Sequence, residues 1–537
     1  MNFFNRAIKN VTRKWSKSVL LLITFFVIGN FVIVGLGVSS ASETAKTLTR
    51  QKMRAVVTYG IDYEAVNEYA STITDEDELA KFYENYPKVT LKDINDLLKD
   101  ESVVAANATY ITQIYNKEGS IEPVKLNNRA EENMGGGQTC YTDENGEQIC
   151  NTYVEPSFSI KGNFFPNMIE IVDKDFNIVD GRFYTQEEID NASQVCLVSE
   201  ALAEANGLHV GDTFEIYTNS QNDLGFFKDA GITLDDTLAS LEVIGIYSHN
   251  MAITPDSEGF DWTSPYDNPD NMILMPATGA YAMSVKFQQK MWDYNATIYP
   301  EEEYYKDPSN RPTTEMNEKN TYINNVNILL NDPLKVDGFV EKYSAEVGEF
   351  KKLDANNEEF ERLSKPLDTL SLYANFIVWL VVINAIVIIT LVTALTLKTR
   401  EYEIGVLLSI GASKMKIIAQ FFVELALVAV LGFTLSIVSG SLIANKVGTT
   451  VLDYQIATSD VNQDTFDPGM NYPSIWDENY TTEVSLEDLV AEYNVSISPI
   501  IIGEIYVVGL GIVLISILIP SMMIMRFNPK KILMNQN

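Results

Sequence analysis

Side chains that could carry catalysis are scarce in this sequence. Its 537 residues include two histidines, His209 and His249, and neither has a partner at a metal-ligand spacing. No H-E-x-x-H, G-x-S-x-G or G-x-x-x-x-G-K-[ST] motif occurs. We therefore expect no catalytic residue, no metal site and no bound cofactor. Without the last of these motifs the chain has no P-loop, so any energy from ATP must come through a partner.

Basic residues are also few. The chain has 39 Lys and Arg against 73 Asp and Glu, a formal net charge of −34. An acidic surface resists aggregation, or it attracts a cationic ligand such as a basic peptide or a divalent cation, and both readings stay open. The loop at 255–271 and the one that begins at Asp460 have incomplete calcium-ligand spacing. We expect no nucleic-acid partner.

Cysteine is limited to three residues. Cys140 and Cys150 bracket the polar stretch "YTDENGEQI", which contains an Asn-Gly turn signal. This arrangement predicts a hairpin clamped by a disulfide on the oxidising side of a membrane. Cys196, in "QVCLVS", is interpreted as a small apolar residue in a buried strand.

Long apolar runs, in contrast, are abundant. Four of them carry at most one acidic residue each: Val19–Val38, Leu372–Leu397, Ala419–Ala444 and Ile500–Met525. Each is long enough to cross about 30 Å of hydrocarbon. The first could be the core of a signal peptide, but its length favours an uncleaved anchor. The predicted transmembrane helices are residues 18–40, 372–397, 419–445 and 500–525.

The positions of Lys and Arg beside these runs predict the orientation. They concentrate in residues 1–17, 398–418 and 526–537, so these segments and both termini are expected in the cytoplasm. Residues 41–371 and 446–499 then lie outside. Phe4, Ile8, Val11 and Trp15 recur at helical spacing among basic residues, which predicts an amphipathic helix on membrane lipid over residues 1–17. A helical extension of the first span is the alternative.

The large outer segment alternates between strand and helix patterns. Its strand candidates are "SIKGNF", "MIEIVD", "FNIVDGRFY", "QVCLVS", "DTFEIYT", "LEVIGIYS", "MILMP" and "NVNILL". Helix-forming stretches at both ends predict a stalk of two helices that continue the neighbouring spans. The predicted fold class is therefore a membrane α-helical protein, with four transmembrane helices plus a large α+β extracytoplasmic domain.

The stretch "REYEIGVLLSIGASKMKI" (400–417) has more pattern than a plain turn needs. Ile404, Leu407 and Leu408 form an apolar helix face, while Gly405 and Gly411 permit close approach. Arg400 and Glu403 could pair with charges on a partner. The next span has a face of small residues for close helix packing, within the chain or between two copies: Gly432, Ser436, Gly440 and Ala444. Glu424 and Glu504, near the edges of their spans, are expected to be interfacial anchors, and a proton or ion path is the alternative.

These features resemble the MacB-like, FtsX-type permeases of ABC transporters. The family's R-x-x-E-I-G-x-L-x-x-x-G-A-S motif and a later glutamate are matched by Arg400, Glu403, Ile404, Gly405, Leu407, Gly411, Ala412, Ser413 and Glu424. "DGRFYTQEEID", "LVSEALAEANGLHVGDTFEIY" and "PSMMIMRFNPKKIL" look like further family segments. The insertion near 135–150 and the long loop at 446–499 depart from the family pattern.

The resemblance implies a subunit of a bacterial plasma-membrane machine. Segment 398–418 would be the coupling helix, with Leu408 on its apolar face, that docks into a cytoplasmic ABC ATPase holding ATP and Mg. A second permease copy, identical or related, would complete the assembly. The expected function is export or extraction of a peptide-like or amphipathic substrate. Activation of an extracellular protein effector, such as a cell-wall hydrolase, is one alternative, and an ATPase-independent receptor is another.

Overall fold

The computed structural model describes residues 3–13, 15–125, 138–142, 148–152, 154–220, 224, 230–251, 264–315, 323, 325–458 and 492–526. The chain forms two compact units. Of the described residues, those up to 53 and from 358 onward form the helical unit, and those from 54 to 357 form the α/β domain. The predicted tail beyond residue 526, the loop at Asp460 and most of the loop at 255–271 lie outside the described residues.

The helices and strands follow in chain order. The helices are α1 (Phe3–Arg13), α2 (Trp15–Lys52), α3 (Tyr63–Thr72), α4 (Glu76–Glu84), α5 (Ile169–Val172), α6 (Gln186–Asp190), α7 (Glu200–Asn206), α8 (Ala277–Ile298), α9 (Glu303–Lys306), α10 (Val336–Tyr343), α11 (Glu358–Thr399), α12 (Glu401–Ser409), α13 (Lys414–Thr458) and α14 (Pro499–Arg526). The strands are β1 (Val56–Ile61), β2 (Val103–Asn107), β3 (Thr109–Asn116), β4 (Gln138–Thr142), β5 (Gln148–Thr152), β6 (Phe158–Asn163), β7 (Phe176–Gly181), β8 (Val195–Ser199), β9 (Thr213–Tyr217), β10 (Leu238–His249), β11 (Met272–Pro276), β12 (Asn325–Leu330) and β13 (Lys351–Asp354).

Among the residues that the structure describes, four helices have the length and apolar composition to cross a membrane, namely α2, α11, α13 and α14. They contain the four apolar runs of the sequence. Helix α13 has 45 residues, and at about 1.5 Å per residue it is roughly twice as long as a bilayer core is thick. Its last 13 residues fall in the predicted outer segment 446–499.

The predicted stalk of two helices therefore has a third member. Ala45 of α2, Leu367 of α11 and Leu452 of α13 are buried in one apolar cluster. Tyr493 and Val495, which precede α14, pack into the same cluster. The predicted outer segment 446–499 thus begins as the end of α13, and its described residues just before α14 pack against the same helices.

The small-residue face of α13 lies against α2 of the same chain. A Cβ atom on Gly432 would be 2.7 Å from the Phe25 Cβ and 3.2 Å from the Leu22 carbonyl oxygen. A Cβ atom on Gly440 would be 2.7 Å from the Ile33 Cγ2. Ser436 and Ala444 are fully buried. The sequence left open whether this face packs within the chain or against a second copy, and in the structure it packs within the chain.

The α/β domain contains two main sheets. One has four strands in the order β13-β1-β12-β2, and the other has seven in the order β7-β10-β8-β11-β6-β3-β9. Because β9 also pairs with β10, six strands of the larger sheet form a closed ring, which β7 extends at β10. Phe158, Cys196 and Leu241 are buried in one apolar cluster of this sheet. Burial raises the pKa of the Cys196 thiol, as fits an unreactive core residue.

The strand predicted at "MIEIVD" is wrong, because residues 169–172 form the single helical turn α5. Glu170 is buried there, and its carboxylate accepts hydrogen bonds from Lys161 Nζ at 2.5 Å and from Asn107 Nδ2 at 2.8 Å. A short apolar run has no periodicity that separates a strand from a helical turn. The partners of Glu170, which lie 9 and 63 residues away, are not visible in the local sequence.

The segment "DGRFYTQEEID" forms a turn that needs its glycine. Gly181 has φ +73°, and a Cβ atom there would overlap the Ile244 carbonyl oxygen. Arg182 donates two hydrogen bonds, at 2.7 and 2.8 Å, to Glu188. Thr185 and Glu188 form a capping box at the start of α6. The turn is thereby fixed at both of its ends.

The predicted cysteine hairpin has its two strands in place. Strands β4 and β5 are antiparallel, and their register pairs Cys140 with Cys150. The five residues between the strands lie outside the described residues. The disulfide itself stays a prediction.

The contact between α2 and α13 gives a first testable prediction. Gly432→Ala forces the two backbones apart, so we expect it to destabilise the protein by about 1–3 kcal/mol, the usual cost of overpacking. Gly511→Ala in α14 is the matched control, since a Cβ atom there meets nothing within 4 Å. Thermal unfolding in one detergent compares the two, and equal melting temperatures would contradict the close packing.

Candidate functional site

The turn between α11 and α13 is built by its Gly-Ala-Ser sequence. Gly411 has φ +91°, a conformation that strongly favours glycine. The Ala412 amide donates to the Leu407 carbonyl at 3.0 Å and the Gly411 amide to that of Leu408 at 3.1 Å, which is the Schellman pattern that ends a helix. Ser413 then precedes α13, and its hydroxyl accepts from the Lys416 amide at 3.4 Å. The motif thus ends one helix and begins the next.

The apolar face of α12 packs against its own chain. Ile404 is 1% exposed and forms a small core with Leu397, Ile417 and Phe421. Leu407 and Leu408 are partly buried against this core. The sequence interpretation assigned this face to a partner, and for Ile404 that is corrected here. Helical periodicity shows that a face is buried, but not what buries it.

A buried ion pair fixes the start of α12. Arg400 Nη1 donates to Glu424 Oε2 at 2.8 Å, and both side chains are about nine-tenths buried. Asn10 of α1 and Gln420 of α13 donate to the other carboxylate oxygen at 2.9 and 3.0 Å. The Arg400 guanidinium also lies 5.4 Å from the centre of the Phe421 ring. These contacts tie α1, the end of α11 and α13 together at one carboxylate.

This pair changes two expectations. Arg400 was expected to meet a charge on a partner, but its partner is Glu424 of the same chain. Glu424 was expected to anchor the membrane interface, but it is buried between helices. Glu504, in contrast, is exposed. A charged side chain inside a membrane protein usually pairs with an opposite charge of the same protein. The sequence does not show which residue supplies that opposite charge.

The cavity beside the ion pair is small. It has a volume of about 50 Å³, and Asn10, Lys17, Thr393, Arg400 and Glu424 are among its lining residues. Such a space can hold a few water molecules. The ion pair and its hydrogen bonds form a junction between helices beside it.

The surface that the turn exposes consists of residues outside its apolar face. Tyr402 is 54% exposed, Ile410 78% and Met415 70%. Glu403, Ser413 and Lys416 are exposed beside them. The sequence analysis did not select Tyr402, Ile410 or Met415. A signal was present for Ile410 and Met415, since both are apolar residues of the segment 400–417 that lie outside its i, i+3, i+4 face.

Two family descriptions together cover nearly the whole chain. The MacB-like periplasmic core domain matches residues 20–333, which is more than half of the chain, and the FtsX-like permease C-terminal region matches residues 375–529. The chain belongs to the MacB-like, FtsX-type permeases of ABC transporters. The predicted family is thereby confirmed, and so is the predicted fold class of four membrane helices with a large extracytoplasmic domain of mixed helices and strands.

Three individual proteins have measurable similarity to this chain. The chain is 27% identical to the "Uncharacterized ABC transporter permease YclI" of Bacillus subtilis (strain 168), over 100% of both chains. The periplasmic region of MacB from Actinobacillus actinomycetemcomitans is 10% identical, with a TM-score of 0.25 over 57% of this chain and 91% of its own. The extracellular domain of the transporter YknZ from Gram-positive bacteria is 11% identical, with a TM-score of 0.24 over 56% of this chain and 98% of its own.

Membership in this permease family establishes the general role of the chain. It is a permease-type membrane subunit, and an ABC permease implies a cytoplasmic ATPase partner. The membrane helices and the extracytoplasmic domain fit a plasma-membrane protein.

The ion pair gives a second testable prediction. Arg400→Leu or Glu424→Leu leaves one buried charge without its partner, so each is expected to cost about 3–5 kcal/mol of stability. The double substitution removes both charges, and we expect it to be more stable than either single variant. Thermal unfolding of the four proteins in one detergent provides the double-mutant cycle. Additive losses would contradict a direct pairing of the two side chains.

Proposed function

We propose that this permease couples ATP hydrolysis by a separate cytoplasmic ABC ATPase to movement of its extracytoplasmic domain. In this proposal residues 1–17, 398–418 and 526–537 are cytoplasmic, and the turn between α11 and α13 is the contact with the ATPase. The Lys and Arg residues flanking the spans support the orientation. ATP and Mg belong to the partner, and this chain binds no cofactor.

The observation that carries the proposal is the contrast between the two sides of the turn. On the side that faces its own chain, Ile404 and the Arg400–Glu424 pair fix α12 to α11 and α13. On the exposed side, Tyr402, Ile410 and Met415 present large side chains to the surface. Exposed aromatic residues and Met with charged neighbours are typical of protein interfaces. A force applied to this surface acts on a rigid junction.

The packing of the spans supports transfer of movement in preference to passage of a substrate between them. The cluster that the four spans share is built from apolar residues such as Phe25, Ile389, Phe433 and Val513. A polar substrate would find few hydrogen-bonding partners among these residues. In the proposed cycle, ATP-driven closing of two permeases displaces the long helices α2, α11 and α13.

We infer that the work is used to export or extract a peptide-like or amphipathic substrate at the outer face of the membrane. This finer function rests on the large extracytoplasmic domain and on the apolar cluster of the spans. Stimulation of ATP hydrolysis by an amphipathic peptide is the expected result in the reconstituted complex. Stimulation only by an outer protein would instead indicate an effector-activating subunit, and an active protein that never binds an ATPase would indicate a receptor.

The exposed side of the turn gives a third testable prediction. Ile410→Asp places a charge on the proposed contact without entering the core, so we expect loss of ATPase co-purification with an unchanged melting temperature. Ile410→Leu is the matched control, because it keeps the apolar surface, and it should retain the ATPase. The tagged chain is purified from its native membrane in mild detergent, and ATP hydrolysis is assayed. Full retention of the ATPase by Ile410→Asp would contradict this contact surface.

A further inference from the structure

A group of aromatic side chains lies at the end of α8, far in sequence from the turn between α11 and α13. The Tyr305 ring centre is 5.9 Å from that of Trp292, 6.5 Å from that of Tyr299 and 5.1 Å from that of Tyr304. Tyr299 is 50% exposed and Tyr304 53%. Ile298 beside them is also exposed. We call these five residues the aromatic patch. Aromatic residues are enriched at protein interaction surfaces.

Three consecutive carboxylates border the aromatic patch. Glu301, Glu302 and Glu303 are all exposed. Lys306 lies 3.5 Å from Glu301, but within the described part of the chain neither Glu302 nor Glu303 has an ion-pair partner. The nearby Arg311 is occupied, because it donates two hydrogen bonds at 2.8 Å to Asp293. The hydrogen bonds from Arg311, together with its charge, hold the pKa of the Asp293 carboxyl below its usual range. The border of the patch is therefore negative.

The segment that carries the patch is held in place by its own contacts. The Arg311–Asp293 pair joins the chain after α9 to α8. Asn310 Nδ2 donates to the Tyr304 carbonyl at 2.9 Å, and Gln289 Nε2 donates to the Pro312 carbonyl at 2.8 Å. Trp292 Nε1 is buried and has no hydrogen-bond partner within the described residues. A pre-formed surface loses little conformational entropy when a ligand binds.

We propose that the aromatic patch and its acidic border bind the Lys or Arg side chains of a cationic peptide. A cation over the face of Tyr or Trp is attracted by the ring quadrupole. Glu302 and Glu303 add charge complementarity, and the chain's net charge of −34 favours approach of a cation. An anionic lipid surface is disfavoured by the same carboxylates. A cationic peptide would be one class of substrate for the proposed function. Its binding to the aromatic patch, however, does not need ATP.

The test measures peptide binding to the full chain in lipid nanodiscs without ATPase. A failure to bind the peptide can therefore be distinguished from a failure of ATP coupling. The probe is a tetra-arginine peptide with tetra-glutamate as the negative control, and affinity is measured by calorimetry. The double variant with Tyr299→Leu and Tyr304→Leu lacks two aromatic rings, so we expect it to bind the tetra-arginine peptide roughly tenfold more weakly. The matched double variant with Phe at both positions keeps the rings and should bind like the unmodified protein.

A second variant measures the electrostatic part. Glu302→Gln with Glu303→Gln should weaken binding and reduce its dependence on salt concentration. Melting temperatures of all variants verify folding, since the altered side chains are exposed. If the Leu variant binds as tightly as the Phe variant, binding is only electrostatic and the proposal is overturned. Binding of anionic vesicles in place of the peptide would overturn it as well.

Discussion

The burial of one carboxylate constrains the organisation of the helical unit. A charge that is removed from water costs several kcal/mol unless an opposite charge and hydrogen bonds compensate it. Glu424 receives both, from Arg400 and from Asn10 and Gln420. Because these partners come from α1, from α13 itself and from the residue between α11 and α12, the carboxylate can be satisfied only when all of these segments are in place. The ion pair therefore sets the geometry of the turn, and the small core around Ile404 adds apolar packing to it.

The glycine contacts between α2 and α13 extend this constraint along the spans. Gly432 and Gly440 let the two helices approach to distances that a Cβ atom would prevent. Close backbone packing provides the van der Waals contact that holds helices together in lipid, where water supplies no hydrophobic driving force. Since α13 continues to Thr458, the same packed unit reaches well beyond one bilayer thickness. A displacement of the turn would be carried along rigid helices, which is the physical basis of the proposed coupling.

Local signals predicted much of the structure. The four spans follow from apolar length, and most strands from short apolar runs bounded by turn residues, such as "QVCLVS" and "MILMP". The predictions that were wrong concern features that depend on residues far away in the sequence. "MIEIVD" is helical where Glu170 pairs with Lys161, and Arg400 pairs with a glutamate 24 positions away. The residues of the turn were predicted as a group, but which side chains are exposed depends on Phe421 and Ile417, which no local pattern around Ile404 contains.

The central claim is that the exposed side of the turn between α11 and α13 contacts an ABC ATPase. Site-specific photo-crosslinking in the native membrane tests it most directly, with the reactive group at Ile410 and, as a control, at Val438, which is an exposed apolar residue in the middle of α13. The claim predicts that the group at 410 captures a protein with a nucleotide-binding P-loop and that the group at 438 does not. Capture of lipid alone at both positions, in cells where the permease is active, would contradict it.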